Sequence, residues 1–399
     1  MAQAVHKGYS YFLNAMRVNR SKQAMVKQVF KRVISFILFY SQLLRLYFVF
    51  KRISLVKYPR ILMYHRVLDI DNAAGYDFSN KGMVVSREKF ARQISFLSKN
   101  YSVISLDQFL EASAFPPNAC IITFDDGWLD NYTVAYPILK AHNCPATIFL
   151  TTDFVGTNRV FWQETLVRNL TLLMKRGLLR EFSASKGCPS DVREKLLMIT
   201  SRAADLDCAN ANFDELIAML MDMNEAHVDA FVNHVHEFLH QIGVNPDDKR
   251  RILDWQEIEE MHRNGIAFGS HSKTHRIMTR MDIDDIKAEL SESKGIIESR
   301  LGTKVKAFAY PNGDWSKDLE TLVIAAGYKC ALSTEKGEFS KGDNAITLKR
   351  IGIHEAMSTG LSGKFSKHLF ACQVGGIFDD IRWLLSKIVR RVGTKVTAY

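Results

Sequence analysis

The chain has 399 residues, 47% of them hydrophobic and 24% charged, which excludes a disordered or low-complexity protein and is enough for one large domain with an insertion, or for two domains. The net charge of +10 averages over unlike regions: residues 1–60 hold 12 Lys/Arg and no acid, residues 381–399 hold five and no acid, and the other 36 Lys/Arg face all 43 acids, a body at −7. An acidic body with basic ends argues against nucleic acid as a partner and for an anionic surface met by the termini, most simply a membrane.

No apolar run lies within the first 25 residues, so no cleavable signal peptide is expected. The apolar run comes at 33–50, "VISFILFYSQLLRLYFVF", whose 18 residues sit near the lower limit for a spanning helix. Ser35, Ser41, Gln42 and Arg45 fall in one stripe of a helical wheel, and Lys31, Arg32, Lys51 and Arg52 flank the run. An in-plane amphipathic helix fits best; a membrane span and a helix packed on the protein's own core are the alternatives. Residues 1–58 are therefore expected to form a basic, amphipathic, membrane-associating segment, and 376–399 a second basic tail. The six cysteines are scattered, with no C-x-x-C, which favours a reduced compartment. The expected location is cytoplasmic or membrane-associated.

From residue 59, short apolar runs alternate with helical patterns. The runs predict strands at 60–67, 101–106, 119–124 and 146–150, with helices over 87–99 and 131–142. Pro116, Pro117 and Pro145 mark the entries to the last two strands. Over 157–250 the strand signals vanish and Leu, Met and helix formers dominate, as in an inserted helical subdomain. Alternation then resumes, with helices over 254–265, 282–302 and 316–327 and strands over 266–270, 305–310, 329–333 and 345–350. Seven or eight such units make an α/β fold, a deformed (β/α)7-8 barrel built from 59–156 and 251–375. Barrels of this kind place their chemistry at the C-terminal ends of the strands.

Asp125 and Asp126 sit at one such end, in "IITFDDG", where Gly127 lets the backbone bend. An Asx-turn or helix cap is the alternative reading. In "GSHSKTH", His271 and His275 are four residues apart, and one helical turn would put both imidazoles on one face, as a metal wants. "HEFLH" offers a second pair, His236 and His240 around Glu237. That is formally a zinc-protease pattern, with Glu257, Glu259 and Glu260 downstream as third ligands. It lies in the insertion without a protease scaffold, and a polar helix face with His234 is the preferred reading. Strand context separates the pairs. His271 follows strand 266–270 and Asp126 follows strand 119–124, so a parallel barrel projects both at one rim. Two imidazoles and a carboxylate make a metal site with open positions, and the second acid can then take a proton from water. A divalent cation also offsets the repulsion between the adjacent acids.

"TFDDG" (123–127), "HSKTH" (271–275) and "FAYPNG" (308–313) together resemble the polysaccharide deacetylase superfamily, the NodB-homology or carbohydrate esterase 4 group, over roughly 59–156 and 251–365. The resemblance implies metal-dependent hydrolysis of N-acetyl groups on a sugar or polysaccharide in exopolysaccharide or cell-envelope glycan metabolism. O-acetyl and N-formyl groups are alternatives. It implies Asp125 as the base and Asp126, His271 and His275 as ligands of a divalent metal, foremost Zn2+, with Co2+ and Ni2+ as alternatives. Pro311 and Gly313 match the third motif, and Asn312 between them would give its main-chain N–H to the oxyanion. The general acid is His65 or His354, with His65 favoured by relatives that act on exopolysaccharide. Asp314-Trp315 matches a further family motif in letters only. The resemblance implies an acetylated glycan as partner, and the basic amphipathic ends without a signal peptide suggest a lipid-linked saccharide at a membrane surface. Two departures stand out: the arginine that orients the base is Ala309 here, and an aromatic is missing at Asn312, which lowers the groove wall. They keep a rival in view, a catalytically weakened glycan-binding or scaffold protein on the same barrel.

Overall fold

The computed structural model describes residues 27–41, 43, 59–69, 82–202, 206–244, 249–337, 339 and 342–381. An N-terminal helix, α1 (27–40), precedes β1 (Arg60–Tyr64), β2 (Arg66–Leu68), β3 (Val84–Ser86) and α2 (Arg87–Asn100). Next come β4 (Ser102–Val103), α3 (Leu106–Glu111), β5 (Ala119–Phe124), α4 (Tyr136–Ala141) and β6 (Thr147–Leu150). Five helices follow: α5 (Trp162–Lys175), α6 (Leu179–Ala184), α7 (Ser190–Arg202), α8 (Leu206–Met221) and α9 (Glu225–Gln241). The chain then returns through α10 (Trp255–Arg263), β7 (Ala267–Ser270), α11 (Ile283–Leu301), β8 (Ala307–Ala309), α12 (Lys317–Ala325), β9 (Cys330–Lys336), β10 (Leu348–Gly352) and α13 (Lys367–Val374).

Seven parallel strands close into a barrel in the order β1-β10-β9-β8-β7-β6-β5, and β5 pairs back to β1 from Arg60↔Cys120 to Tyr64↔Phe124. The strands read as unbroken apolar runs because helices cover the outside while side chains fill the inside. Alternate residues divide accordingly. Ile61, Ile121, Phe149, Ala309, Leu332 and Leu348 belong to one buried cluster in the barrel. Leu62, Ile122, Phe124, Ile148, Phe308 and Ile351 pack with the helices in another. Leu106 and Phe109 of α3 join the inner cluster at the barrel's base, where Lys306, just ahead of β8, pairs with Asp107 and Glu111.

Local chemistry sets several boundaries. Ser86 caps α2, and Phe90, Ile94 and Leu97 at its i, i+4, i+7 positions are buried. The predicted strand 101–106 shortens to two residues because Ser105 and Gln108 form a capping box that opens α3. The predicted strand 60–67 breaks at His65. There Asn131 donates to the His65 carbonyl at 2.8 Å, and the Val67 N–H donates to Asp130 at 2.7 Å. These bonds turn β2 away to pair with β3.

The helices α5–α9 have their own core, with Leu166, Leu170, Phe182, Leu196, Leu216, Phe231 and Leu239 in a separate cluster. The segments that join them to the barrel run side by side. Gly156 N–H donates to Leu253 carbonyl at 2.8 Å, and Ile252 bridges Trp128 in antiparallel sense. Leu129 N–H donates to Arg251 carbonyl at 2.7 Å and Leu253 N–H to Gly127 carbonyl at 2.9 Å. The inserted helices are thus fastened to the loop that follows Asp125 and Asp126.

Ile34, Leu38 and Phe39 of α1 pack on Leu369, Ile377 and Phe378. Phe30, Phe36, Ile37 and Tyr40 face outward and are exposed. Among the described residues no helix is long and apolar enough to cross a membrane. Residues 1–26, most of 42–58 and 382–399 lie outside the described residues, so much of the expected 33–50 helix and of both basic ends does too.

Candidate active site

β5 delivers Asp125 and Asp126 to the C-terminal rim. The Asp125 N–H still donates to the Tyr64 carbonyl at 3.1 Å, continuing the ladder, while Asp126 adopts φ 76 and Gly127 φ 72. This left-handed pair turns the chain within two residues. At Gly127 a Cβ would also stand 2.9 Å from Leu150 Cδ2. Both carboxylates are buried, and they serve different partners. Asp125 receives two 2.7 Å bonds from Arg350 Nη1 and Nη2, a bidentate fork. Arg350 is wholly buried, and its Nε donates to the Ser333 carbonyl at 2.8 Å. Burial by itself would raise the Asp125 pKa, but the Arg350 guanidinium, then His271, holds it below the ordinary carboxylate value.

Asp126 turns its Oδ1 to His271 Nε2 and His275 Nε2, 3.4 Å from each, and its Oδ2 accepts from Trp128 Nε1 at 2.8 Å. Burial opposes ionisation here too, and the hydrogen bonds from both imidazoles bring Asp126 well below the ordinary value. His271 Nδ1 lies 2.8 Å from the Ala309 carbonyl. A carbonyl only accepts, so Nδ1 carries a proton; in the neutral ring Nε2 is then the nitrogen left with a lone pair, the arrangement of a metal-ligating histidine. The donor atoms of Asp126, His271 and His275 lie within 4.8 Å of one another. A tetrahedral ion bonded at about 2.0–2.2 Å separates its donors by about 3.3–3.6 Å, so these residues fit one.

His271 and His275 do not sit on a helix, as their spacing suggests. Ser272 at φ 66 and His275 at φ 62 fold the segment into a tight loop. Glu289 of α11 fastens it, accepting from Lys273 N at 2.7 Å, Thr274 N at 2.9 Å and Thr274 Oγ1 at 2.5 Å. Ser272 Oγ accepts from His275 N at 3.0 Å, and the Phe161 ring lies 4.6 Å from that of His275.

His65, at the break between β1 and β2, places Nε2 4.0 Å from Asp125 Oδ2. Burial lowers its pKa against the pull of Asp126 and Asp125. His354 lies beyond β10 beside Glu355, and burial, then the charge of Lys31, lowers its pKa. Among the described contacts nothing joins it to the carboxylates. Asn312 adopts φ 55 in a turn between β8 and α12, and its carbonyl accepts from Thr334 Oγ1 at 3.2 Å. Asn312 and His275 line the same cleft. The "HEFLH" pair lies on α9, His236 and His240 with rings 5.4 Å apart, and among the described residues no third ligand joins them. Trp315 points elsewhere, to Glu335 at 3.1 Å.

The family model for polysaccharide deacetylase matches residues 112–183 and 207–331, a span that contains the aspartate pair, the histidine loop and the Asn312 turn. The chain belongs to the polysaccharide deacetylase family. Membership places this deacetylase among hydrolases of carbon–nitrogen bonds other than peptide bonds. It is 35% identical over 127 residues to the poly-beta-1,6-N-acetyl-D-glucosamine N-deacetylase of Staphylococcus aureus, covering 29% of this chain and 41% of that one. Over 310 residues it is 19% identical to YxkH of Bacillus subtilis, whose name assigns it provisionally to the polysaccharide deacetylases, covering 76% of this chain and 75% of that one. The Streptococcus pyogenes deacetylase PplD, solved with acetate, superposes with a TM-score of 0.48 at 20% identity, covering 76% of this chain and 95% of that one.

What the sequence did not reveal in this deacetylase is the arginine. Ala309 and Arg350 stand two strands apart round the barrel, on β8 and β10. The alternation along β10 was the available signal: Leu348 belongs to the inner cluster, and Arg350, two residues on, shares its face. Glu289 and Trp128, which hold the histidine loop and Asp126, had no such signal.

Proposed function

We propose that the protein hydrolyses N-acetyl groups on amino-sugar residues of an exopolysaccharide or cell-envelope glycan, with a divalent ion, Zn2+ foremost, held by Asp126, His271 and His275. The observation that carries this reading is the meeting at one barrel rim of that triad with a separately held, ionised Asp125. The Staphylococcus aureus relative, named for N-deacetylation, favours N-acetyl over O-acetyl or N-formyl groups. When bound, the ion polarises the acyl oxygen and makes a water more acidic. Asp125 accepts the proton of the attacking water, and Arg350 keeps that carboxylate ionised and aimed. The proton passes to His65, 4.0 Å away and neutral at rest, which gives it to the leaving amine. The main-chain N–H of Asn312 donates to the developing oxyanion.

The test is acetate release from a panel of acetylated glycans with added divalent metals. Asp125→Asn should retain metal and lose about 10²–10⁴ of turnover. Near-normal turnover in that variant would reject Asp125 as base. No release from any glycan, with metal bound, would favour the rival glycan-binding protein.

The exposed apolar face of α1 and the 12 Lys/Arg without an acid in residues 1–60 support a membrane-surface contact, and so a nascent or lipid-linked glycan as substrate. Flotation with anionic vesicles tests this. Binding that survives deletion of residues 1–58 would remove its basis.

A further inference from the structure

Beside the histidine loop lies a cleft of about 640 Å³, within the range of ligand sites. One end reaches His275 and Asn312, the candidate ligand and the candidate oxyanion donor. From there it runs outward between two walls of different origin. The barrel supplies the loop after β7, with Thr274, Arg276 and Arg280. The inserted helices supply Trp162 at the start of α5 and, at the turn from α8 into α9, residues 220–224 together with Asp229, Asp222 among them. An acetyl group and its attacking water need only the inner end.

Two attachments fix the walls relative to each other. At the root, the insertion is bonded to Gly127 and Leu129, directly after the aspartate pair, and Trp128, Phe154, Phe161 and Ile252 form a small buried cluster there. At the outer edge, Arg280 donates to the Met221 carbonyl and to Asp222 Oδ1, the latter at 3.0 Å. The lining combines an indole with carboxylate, guanidinium, amide and hydroxyl groups. Sugar rings ask for such a surface, with apolar faces to stack and hydroxyls to pair. Asn312 lacks the aromatic that would raise the groove wall at its own position, and Trp162 brings one from the opposite side.

Resting on the deacetylase reading above, we infer that the inserted helices form one wall of a binding cleft for the sugar units flanking the reacting residue. The enzyme therefore selects an oligosaccharide or polymer over a single amino sugar. Arg280 holds the wall in place and Trp162 contacts the flanking sugar.

The experiment measures kcat/KM for acetate release from N-acetylglucosamine and from its β-1,6-linked tetramer, using the full chain loaded with Zn2+. The ratio of tetramer to monomer should be well above one. It should fall about three- to tenfold in Trp162→Ala, the size of one aromatic–sugar stacking interaction, and fall in Arg280→Ala as well. Lys195→Ala, which removes an ion pair to Glu215 elsewhere on the insertion, should leave the ratio unchanged. Trp162 also packs on the insertion's core, so the exposed Arg280 provides the variant that does not depend on refolding. A wild-type ratio near one, or a ratio that neither substitution moves, overturns the inference while leaving deacetylation intact. Absence of acetate from both substrates and from every other glycan of the panel instead overturns the deacetylase reading on which it rests.

Discussion

Arg350 and Asp125 meet inside the barrel through two 2.7 Å hydrogen bonds, and both side chains are almost completely shielded from water. The motif resemblance leads one to expect this arginine where Ala309 stands, on β8, whereas here β10 supplies the guanidinium. Its geometry makes two demands on a substitution. Arg350→Lys keeps a charge but not the fork, and should lower kcat about 10- to 100-fold through misorientation of the base. Arg350→Met leaves Asp125 buried without its partner. Stability should drop by about 3–5 kcal/mol. Burial then dominates and raises the Asp125 pKa, so the acid limb of the kcat/KM profile moves to higher pH. A profile with an unmoved acid limb in a folded Arg350→Met protein would remove Arg350 from the mechanism.

The barrel was legible because parallel strands covered on both faces appear as short apolar runs between helical patterns, and the ring could be counted from them. The acids and histidines were legible because they follow strands directly, and a parallel barrel sends all such residues to one rim. Arg350 was not, because its partner lies 225 residues away and the contact exists only once β10 has closed against β1. The loop at 272–275 was misjudged as a helical turn because spacing carries no φ. Its shape comes from two left-handed residues and from Glu289 on the next helix.

His65 and His354 can now be told apart by experiment. His65 Nε2 stands 4.0 Å from Asp125, whereas His354 neighbours Glu355 and Lys31. His65→Ala should lower kcat about 10²-fold or more, the usual weight of one proton-transfer group. His354→Ala should stay within a few-fold of wild type. The opposite ranking in steady-state assays would transfer the general-acid role to His354.

Glu289 touches neither carboxylate nor imidazole of the triad, yet three of its bonds end on Lys273 and Thr274 between the two histidines. Glu289→Ala should weaken metal binding about 10- to 100-fold, as loss of an outer-shell partner does. Glu289→Gln keeps an acceptor for one of the N–H groups and should recover part of the loss. Competition with a chromophoric chelator reads both values. Equal affinity in wild type and Glu289→Ala would show that the loop holds its shape without this carboxylate.

Metal binding and metal-free stability should respond to pH in opposite directions at this site. In the metal-free chain, burial disfavours the charged form of His271, but the Asp126 hydrogen bond and the charges of Asp125 and Asp126 outweigh it and raise its pKa above 6.5. A raised value in the folded state stabilises the protein fully below the unfolded value of about 6.5 and ceases to do so as pH climbs through the folded value. Asp126, depressed in the folded state, gives the converse: its contribution is present above about 3.9 and is lost only as pH falls through its lowered value. The Asp126–His271 contact therefore stabilises the metal-free protein most in mild acid. A metal ion needs the Nε2 lone pair of His271, so a proton there competes with it. Affinity should climb with pH through the His271 range, by up to about tenfold per unit for each proton released. The Tm gap between zinc-loaded and chelator-treated protein should accordingly widen between pH 5 and pH 8, as calorimetry at fixed free zinc would record. A gap that stays constant or narrows over that range would mean that His271 does not hold the ion.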